Sequence, residues 1–471
     1  MERRNPKYSN RVSSRAVFAA TVGLGILSAA IYWINFKIND LIPIFAGLAG
    51  IPLYVSMFLF LSALYLVAVF LVVKMMPENI KPWRLTGIII FLAILFRLGL
   101  IAEKPAVLSK DMYRYVWDGR VQQHGINPYL YPPAADELQN LRDDRIFPHI
   151  NRKDYPTLYP AGAQIFFRIS HILVGDSVTG YKGIMVFFDL LTLLVLAALL
   201  KTLKFNRARI IVYAWNPLVV FEIAYSGHLE GLTVFLMTTA LYLCAVRRKM
   251  PATIVLALSA AVKLYPALVL AAFLNQGNRV KGIMAFAATI ILLYLPFAGA
   301  GGKILGFLPV YLLNSDESFN LGVKHFVMRL IPTLGYDLLS LLFMIVVTIA
   351  GMIVLLKEKK DVEVLRYAYI LTGLLLLLMP ASLHPWYVIL IIPFLTIYPN
   401  PAWLIFTCTV TLSHLKYTSP QGIMPAWVLL AEYLPLLVIL TAGFILSKYN
   451  GRDKINALDL IRKKEEMAEV P

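Results

Sequence analysis

Long apolar stretches are the feature that most restricts the structures open to this chain. Residues 51–73, 282–298 and 427–447 are predominantly apolar. Each stretch has roughly 17 to 23 residues, close to the ~20 that a helix needs to cross a bilayer. A spanning segment must satisfy its own backbone hydrogen bonds, which only helices and closed β-barrels do. Because these runs lack the alternation of barrel strands, the sequence predicts an all-α, polytopic transmembrane helix bundle.

Composition and charge support a membrane protein and argue against a nucleic-acid partner. The 471 residues are 59% hydrophobic and 15% charged, whereas soluble domains are near half apolar and a quarter charged. The formal net charge of +17 fits the Lys and Arg excess in the cytoplasmic loops of membrane proteins. Cys244 and Cys408 lie in apolar stretches, so we predict packing residues rather than a disulfide. We expect a single membrane domain over residues 1–471, surrounded by membrane lipids.

We predict about twelve spanning helices, each near the length that a bilayer requires. They lie at residues 16–34, 51–73, 84–102, 182–200, 210–226, 229–246, 281–299, 336–356, 366–383, 386–398, 402–415 and 425–447. The first is long for a signal peptide, so we interpret it as an uncleaved helix. Residues 251–274 have two basic flanks and are interrupted by Lys263 and Pro266. We expect a short broken hairpin there, and the number of spans in this region stays open.

The distribution of basic residues predicts the orientation of the bundle. Loops 201–209 and 357–366 and both chain ends, including the basic tail 448–471, are rich in Lys and Arg. We therefore place them in the cytoplasm, with the bundle in a bacterial-type inner membrane. Residues 103–181 then form one extracytoplasmic loop.

The apolar segment Ala161–Val174 tests this orientation, because a crossing there would move loop 201–209 outside. Its Ile165, Ile169 and Ile172 share one helical face. The opposite face carries Gln164, Arg168 and His171. This pattern is typical of an amphipathic helix that lies in the membrane interface, so we do not expect a crossing.

Arg97 and Asp189 are charged residues inside predicted spanning helices. Counted from the helix ends, they lie at matching depths of roughly 8 and 10 Å, at 1.5 Å per residue. An unpaired charge in a helix centre is unfavourable by about 2.5–3.5 kcal/mol. We therefore predict an ion pair between them.

The long loop carries clustered acids and a guanidinium near its start. If the chain after Ser109 is helical, Asp111, Arg114 and Asp118 share one face. Such a group can take a proton from a hydroxyl and hold an anion, which group transfer requires. Nearby aromatic residues, among them Trp117, Tyr155 and Tyr159, offer flat faces to a sugar or form an interfacial belt.

The string DMYRYVWDGRVQQHGINPY, followed by YPTLYPAGAQIFF, resembles the first outer loop of the multi-spanning GT-C glycosyltransferases, in their bacterial mannosyltransferase-like branch. Shorter matches are Ser226-Gly227-His228-Leu229-Glu230, Lys263-Leu264-Tyr265-Pro266 and His384-Pro385-Trp386-Tyr387. The resemblance implies a GT-C-like bundle that transfers a hexose, with mannose the first guess, from a polyprenyl-phosphate donor at the outer face. It also implies that residues 103–181 are a catalytic loop and that Asp111 is the catalytic base.

A polyprenyl-phosphate sugar is already activated, so the protein needs only a base for the acceptor hydroxyl and charge for the departing phosphate. We predict Asp111 and Asp118 as the catalytic residues, with Asp111 as the base and Asp118 holding Arg114 or Arg120 in place. Phosphate candidates are Arg114, Lys263, Arg329 and His384, each interpreted as a lone cation. The other predicted substrate-binding residues are Trp117, Arg120, Tyr155, Tyr159, His228, Glu230 and Tyr387. Asp111, Asp118, His228 and Glu230 could also bind a divalent metal, but carboxylate spacing does not establish a site, and we predict no metal or other cofactor.

A lipid or glycan hydroxyl is the expected acceptor. Two other functions stay open from the residues alone: a transporter or flippase of lipid-linked sugars, and a structural scaffold. Transporters place their sites near the membrane midplane between repeats, and we find no repeat. A scaffold leaves Asp111 and Asp118 unexplained, so the enzyme is the leading hypothesis.

The orientation is testable by labelling. A Gly125→Cys variant should react with a membrane-impermeant maleimide in intact cells, because Gly125 lies in the predicted extracytoplasmic loop. Labelling that occurs only after the membrane is opened would reverse the topology.

Overall fold

The structure, a computed structural model, describes residues 14–41, 47–75, 82–103, 109–313, 319–379 and 382–449. Every regular element in these ranges is helical, and no strand occurs among them. This confirms the predicted all-α class. The predicted tail 448–471 falls outside the described residues except at its first two positions.

The helices of the first half of the chain are α1 (Ser14–Ile34), α2 (Ile38–Leu41), α3 (Gly50–Phe70), α4 (Pro82–Ile101), α5 (Asp111–Gln123), α6 (Ala161–Val174), α7 (Val178–Thr202), α8 (Ile211–Ala214), α9 (Pro217–Val220) and α10 (Glu230–Ala245). Those of the second half are α11 (Lys249–Val262), α12 (Leu270–Phe273), α13 (Arg279–Tyr294), α14 (Leu308–Leu313), α15 (Val323–Leu330), α16 (Tyr336–Leu356), α17 (Asp361–Leu377), α18 (Ile392–Leu395), α19 (Pro401–Thr409) and α20 (Ala426–Tyr449).

Among the described residues, 7 helices are long and apolar enough to cross a membrane. They contain α1, α3, α4, α7, α13, α16 and α20 and coincide with seven of the predicted spans. A polytopic helical bundle is therefore confirmed, whereas the count of about twelve spans is not.

Several predicted spans are broken rather than continuous. Residues 210–226 consist of α8, α9 and a π-helical turn, Phe221–Tyr225. The break comes at Asn216, whose side chain accepts a hydrogen bond from the Leu218 N–H, and Pro217 follows it. Residues 385–418 likewise alternate between 3₁₀ segments and the short α18 and α19. Both stretches are largely buried inside the protein, where irregular backbone is tolerated at membrane depth.

The predicted break at Lys263 is confirmed. Helix α11 ends at Val262, and Lys263 has extended dihedral angles (φ −143°, ψ 139°). A 3₁₀ segment, Tyr265–Val269, follows and leads into α12. Pro266 lies in the first turn of that segment, where a missing N–H is tolerated.

Helix α6 has the predicted amphipathic character, with one correction. Ile169 and Ile172 are 49% and 61% exposed, as expected for an apolar face that meets lipid. Gln164 was predicted on the polar face, but it is fully buried. It turns inward because its amide contacts α5.

Gly125, the position proposed for labelling, has φ +75°, a conformation that a cysteine adopts only with strain. Gln123, the exposed last residue of α5, offers a labelling position in the same loop without that strain.

Cys244 and Cys408 are buried and unpaired with each other, as predicted.

The predicted ion pair between Arg97 and Asp189 is confirmed. The Arg97 Nε donates to the Asp189 carboxylate, and both side chains are fully buried. Arg97 Nη1 also donates to the Ala93 carbonyl at 3.0 Å and to the Ala214 carbonyl at 2.9 Å. The Tyr213 hydroxyl donates to Asp189 Oδ1 at 2.8 Å. The pair therefore joins α4 and α7 to the broken segment that begins at α8.

This pair should be energetically coupled. Arg97→Gln or Asp189→Asn alone leaves one buried charge without its partner, which costs about 3–5 kcal/mol. We expect each single variant to lower the thermal melting temperature in detergent by several degrees. The double variant should lose less than the sum of the two.

Arg84→Gln, on the exposed face of the same helix, is the matched control and should change little. A double variant as unstable as the sum of its parts would show that the two residues act independently.

Candidate active site

A cavity of about 560 Å³ opens beside the N-terminal end of α5. Its wall includes six of the predicted site residues: Asp111, Arg114, Tyr159, Lys263, His384 and Tyr387. These residues come from segments that are up to 276 positions apart in the chain, from Asp111 to Tyr387. The cavity is therefore built by the tertiary fold and not by one local motif.

Asp111 is held at the edge of the cavity by the start of α5. The Ser109 hydroxyl accepts a hydrogen bond from the Asp111 N–H at 3.2 Å. An acid in the first turn is favourable because the helix dipole places positive charge there. The Asn151 Nδ2 donates to Asp111 Oδ1 at 2.7 Å. The side chain is 20% exposed, so its carboxylate is oriented but accessible from the cavity.

Asp118 is not on the cavity wall, although it belongs to the same helix. Arg114 Nε donates to its Oδ1 at 2.8 Å, and Gln164 Nε2 donates to its Oδ2 at 2.8 Å. The same Gln164 Nε2 lies 2.8 Å from the Thr157 hydroxyl. Both Asp118 oxygens are thus engaged, and of the two arginines predicted as its partners, Arg114 and Arg120, the structure shows Arg114. Arg114 Nη1 donates onward to the Tyr155 carbonyl at 3.2 Å.

Lys263 has a partner, in contrast to the prediction of a lone cation. Its Nζ lies 2.5 Å from Glu230 Oε1, and Glu230 is buried at the first position of α10. The Lys263 ammonium also lies 5.2 Å from the centre of the Tyr387 ring. The break after α11 places this cation at the cavity, where Glu230 balances part of its charge.

Stacked rings form one side of the site. His228 lies on Trp386 with centroids 4.0 Å apart, Trp386 on His384 at 4.5 Å, and His384 on Phe319 at 4.9 Å. Burial lowers the pKa of His384 to about 3. At neutral pH its imidazole is uncharged, so it would contact a phosphate through a hydrogen bond and not as the cation that we predicted.

Two buried residues that sequence reasoning missed lie behind His228. His228 Nδ1 is 3.9 Å from Asp111 Oδ2, and its Nε2 is 3.2 Å from Glu222 Oε2. His414 Nε2 lies 3.8 Å from the other oxygen, Glu222 Oε1. Glu222 could have been found, because a carboxylate inside an apolar segment marks a functional-site candidate. His414 lies near the end of the predicted span 402–415 and carries a weaker signal of the same kind.

Asn151 and Arg152 were missed as well. Both line the cavity, and the Arg152 guanidinium lies 5.6 Å from the ring centres of Phe307 and Tyr311. They occur in a polar stretch of the long loop, where nothing in the local sequence distinguishes them from solvated residues.

Other predicted residues lie elsewhere. Trp117 is buried against Phe147, with ring centroids 5.6 Å apart. Tyr155 packs on Phe307 at 4.2 Å, and Arg329 is exposed in the last turn of α15. None of the three is among the residues that line the cavity.

Another part of the cavity wall is aliphatic. It includes Ile51 of α3, Leu264 and Leu268 beside the Lys263 break, Val347 of α16, and Leu375 and Met379 at the end of α17. The cavity therefore has charged groups on one part of its wall and aliphatic side chains on another.

Of the four residues considered as metal ligands, Asp118 and Glu230 are each paired with a cation. Within the described ranges, no group of three or more His, Cys, Asp or Glu is arranged to hold a metal ion.

A family model described as alpha-(1->6)-mannopyranosyltransferase, N-terminal domain, matches residues 11–276. The match covers more than half of the 471 residues. The chain belongs to this mannosyltransferase family. No curated protein and no solved structure matches it.

Membership of this GT-C-type family confirms the predicted resemblance. Because the family consists of mannosyltransferases, the prediction of a glycosyltransferase is confirmed as well. The matched part contains α5 and α6 and extends past Lys263. His384, Trp386 and Tyr387 lie beyond it, so the fold adds them to the cavity from outside the matched part.

Arg120 fastens the long loop and does not line the cavity. Its Nη2 lies 2.7 Å from Asp143 Oδ2 and 2.9 Å from Asp176 Oδ2, and its Nη1 donates to the Leu141 carbonyl at 2.8 Å. Burial alone would raise the pKa of Asp143. Hydrogen bonds from Arg120 and from the Ile146 and Phe147 N–H groups outweigh it and hold that pKa well below its ordinary value.

This cluster predicts an acid-dependent loss of stability in the mannosyltransferase. The pKa of Asp143 is lower in the folded protein than in the unfolded chain, where it is about 3.9. The ionised side chain therefore stabilises the fold at pH values above about 3.9, and this stabilisation is lost as the pH falls through the folded pKa. Asp143→Asn should lower the melting temperature at pH 6 by roughly 2 °C. Below pH 4, the melting temperature of this variant should fall less with decreasing pH than that of the wild type. Asp144→Asn, at the exposed neighbouring position, is the control, and an equal effect there would exclude a specific role for Asp143.

Proposed function

We propose that this enzyme transfers mannose from a polyprenyl-phosphate donor to a hydroxyl of a lipid or glycan acceptor at the extracytoplasmic face. The observation that carries this proposal is the composition of the cavity wall. Asp111 lies there together with Arg114, Arg152 and Lys263, and aliphatic side chains complete the wall. A polyprenyl-phosphate sugar needs an acid beside its sugar, cations beside its phosphate and an aliphatic surface beside its hydrocarbon chain.

The apolar wall supports a lipid-linked donor. Leu264, Leu268, Val347, Leu375 and Met379 present aliphatic groups to the cavity. The isoprene chain of such a donor lies in the hydrocarbon of the bilayer, and an aliphatic wall lets it enter the cavity without contacting unpaired polar groups, which would be unfavourable. A nucleotide sugar has no comparable apolar part. The charge bias of the loops supports placing this cavity at the extracytoplasmic side.

In the proposed reaction, the acceptor oxygen attacks the anomeric carbon while Asp111 removes the hydroxyl proton. The bond between that carbon and the phosphate oxygen breaks, and polyprenyl phosphate leaves with the electron pair. Arg114, Arg152 and Lys263, three of the cations at the cavity wall, would stabilise the developing charge. Asp118 fixes the orientation of the Arg114 guanidinium. A cation with a fixed orientation stabilises the departing phosphate better than a mobile one.

The family description supports mannose as the sugar and an α-(1→6) linkage as the first product to test. The acceptor is a hydroxyl on a lipid or glycan that reaches the cavity from the membrane surface. The Tyr159 and Tyr417 rings at the cavity wall would contact the sugar, whereas Trp386 is stacked against His228 and His384.

The proposal predicts different roles for the two acids of α5. Asp111→Asn should reduce kcat by about 10²- to 10⁴-fold, the usual contribution of a general base. Donor binding should stay near normal. Asp118→Asn should leave measurable activity, because Asp118 acts by orienting Arg114. The assay measures transfer of radiolabelled mannose from polyprenyl-phosphate mannose by purified protein in nanodiscs, with Asp144→Asn as the control.

Two results would contradict the proposal at different points. An inactive wild type, tested with several lipid and glycan acceptors, would exclude the donor class. More than about a tenth of wild-type kcat in Asp111→Asn would exclude this base, because a general base is worth more.

A further inference from the structure

His228 lies between two carboxylates at the border of the active-site cavity. Its Nδ1 is 3.9 Å from Asp111 Oδ2, and its Nε2 is 3.2 Å from Glu222 Oε2. His228 and Glu222 are fully buried, whereas Asp111 is 20% exposed. One carboxylate therefore faces the cavity, and the other lies deeper in the protein.

The backbone fixes the orientation of the imidazole. Glu222 lies in the π-helical turn Phe221–Tyr225, and its carbonyl accepts a hydrogen bond from the His228 N–H at 2.9 Å. Gly227 has φ +73°, and a side chain there would collide with Met112. The ring itself lies against Trp386. Single π-helical turns are frequent at functional sites, and this one aims a carboxylate at the far nitrogen of His228.

We propose that His228 is a proton-relay and positioning residue behind Asp111, and that Glu222 fixes its tautomer. This inference rests on the proposed function. With the Nε2 proton directed at Glu222, Nδ1 is left unprotonated and faces Asp111. It is then able to accept the proton that Asp111 takes from the acceptor hydroxyl. The same logic governs the carboxylate that orients a catalytic histidine in hydrolases.

The proton is accounted for at each step. It passes from the acceptor hydroxyl to Asp111 Oδ2 and then to His228 Nδ1, which leaves an imidazolium between two carboxylates. When the product departs, the proton returns through Asp111 to water in the cavity, and the neutral imidazole is restored. The 3.9 Å separation has to shorten by about 1 Å for transfer, as catalytic hydrogen bonds commonly do when substrate binds.

The charges around His228 favour this cycle. The titratable and charged groups that face it are Asp111, Glu222, His384 and His414, the Lys263–Glu230 pair, and Lys182 beside Gly227. Lys263 is balanced by Glu230, and Lys182 Nζ donates to the Leu100 and Glu103 carbonyls. Asp111 and Glu222 are the carboxylates nearest His228, so each ring nitrogen faces a possible proton acceptor. His414 Nε2 lies 3.8 Å from Glu222 Oε1, so a second imidazole borders that carboxylate.

The test measures the His228 tautomer and the kinetics separately. In ¹⁵N-histidine solid-state NMR of the lipid-embedded protein, assigned with His228→Asn, we expect a neutral imidazole protonated at Nε2. Glu222→Gln should abolish this preference. Asp111→Asn should shift the Nδ1 signal. An Nδ1-protonated ring, or a His228 signal unchanged in both variants, would overturn the relay even if no donor is turned over.

The kinetic arm uses the mannose-transfer assay. His228→Asn and Glu222→Gln should each lower kcat by about 10²-fold, the scale of a misplaced catalytic group. KM for the donor should stay within about threefold, because neither residue lines the cavity. The acid limb of the kcat–pH profile should change in both. His124→Asn, at an exposed histidine next to α5, is the control.

An active wild type whose His228→Asn variant keeps more than half of kcat and the wild-type pH profile would refute the inference while leaving the proposed function intact. A wild type inactive with polyprenyl-phosphate mannose would refute the proposed function, and the NMR result would then decide the inference alone.

Discussion

The hydrogen bonds to Asp118 hold the active-site cavity together. This carboxylate receives Arg114 from its own helix and Gln164 from α6, and all three side chains are buried. A buried charge without partners costs several kcal/mol, so the arrangement has little freedom. Because α5 is fixed against α6, its first residue, Asp111, has a defined position at the cavity. Without this junction, the acid would lie on a loop that no other contact orients as strongly.

The same requirement for paired charges recurs through the bundle and separates two kinds of site. The Arg97–Asp189 pair is fully enclosed and surrounded by further hydrogen bonds, so it serves stability. The Lys263–Glu230 pair and the Glu222–His228 contact border the cavity and stay within reach of Asp111 or a substrate. Burial makes pairing obligatory in both cases, and access to the cavity decides which pairs can take part in chemistry.

Irregular backbone is concentrated where the functional groups are. Most of the long apolar helices that can span a membrane are unbroken, since lipid offers no partners for free backbone groups. The broken segments 210–226 and 385–418 are buried inside the protein and carry Glu222, Trp386 and His414. Short helices and turns point these side chains in directions that one continuous helix would not allow. Their interruptions also explain why these apolar segments are not among the 7 long continuous helices of the described residues.

Apolar length, helical periodicity and charge depth are local properties, and they determined the all-α bundle, helix α5, the break at Lys263 and the Arg97–Asp189 pair. The acid at the start of the motif was also evident, as was the use of Asp118 to hold a nearby arginine, although the choice between Arg114 and Arg120 was left open. Tertiary structure alone decided which other residues reach Asp111. Asn151 and Arg152 come from the long loop, and Glu222 and His414 come from two distant broken segments, so the four share no motif. Trp117, Arg120 and Gln164 turn away from the positions that their sequence suggested. The partner of a buried polar side chain depends on which segments pack together, and no local pattern in the chain encodes that choice.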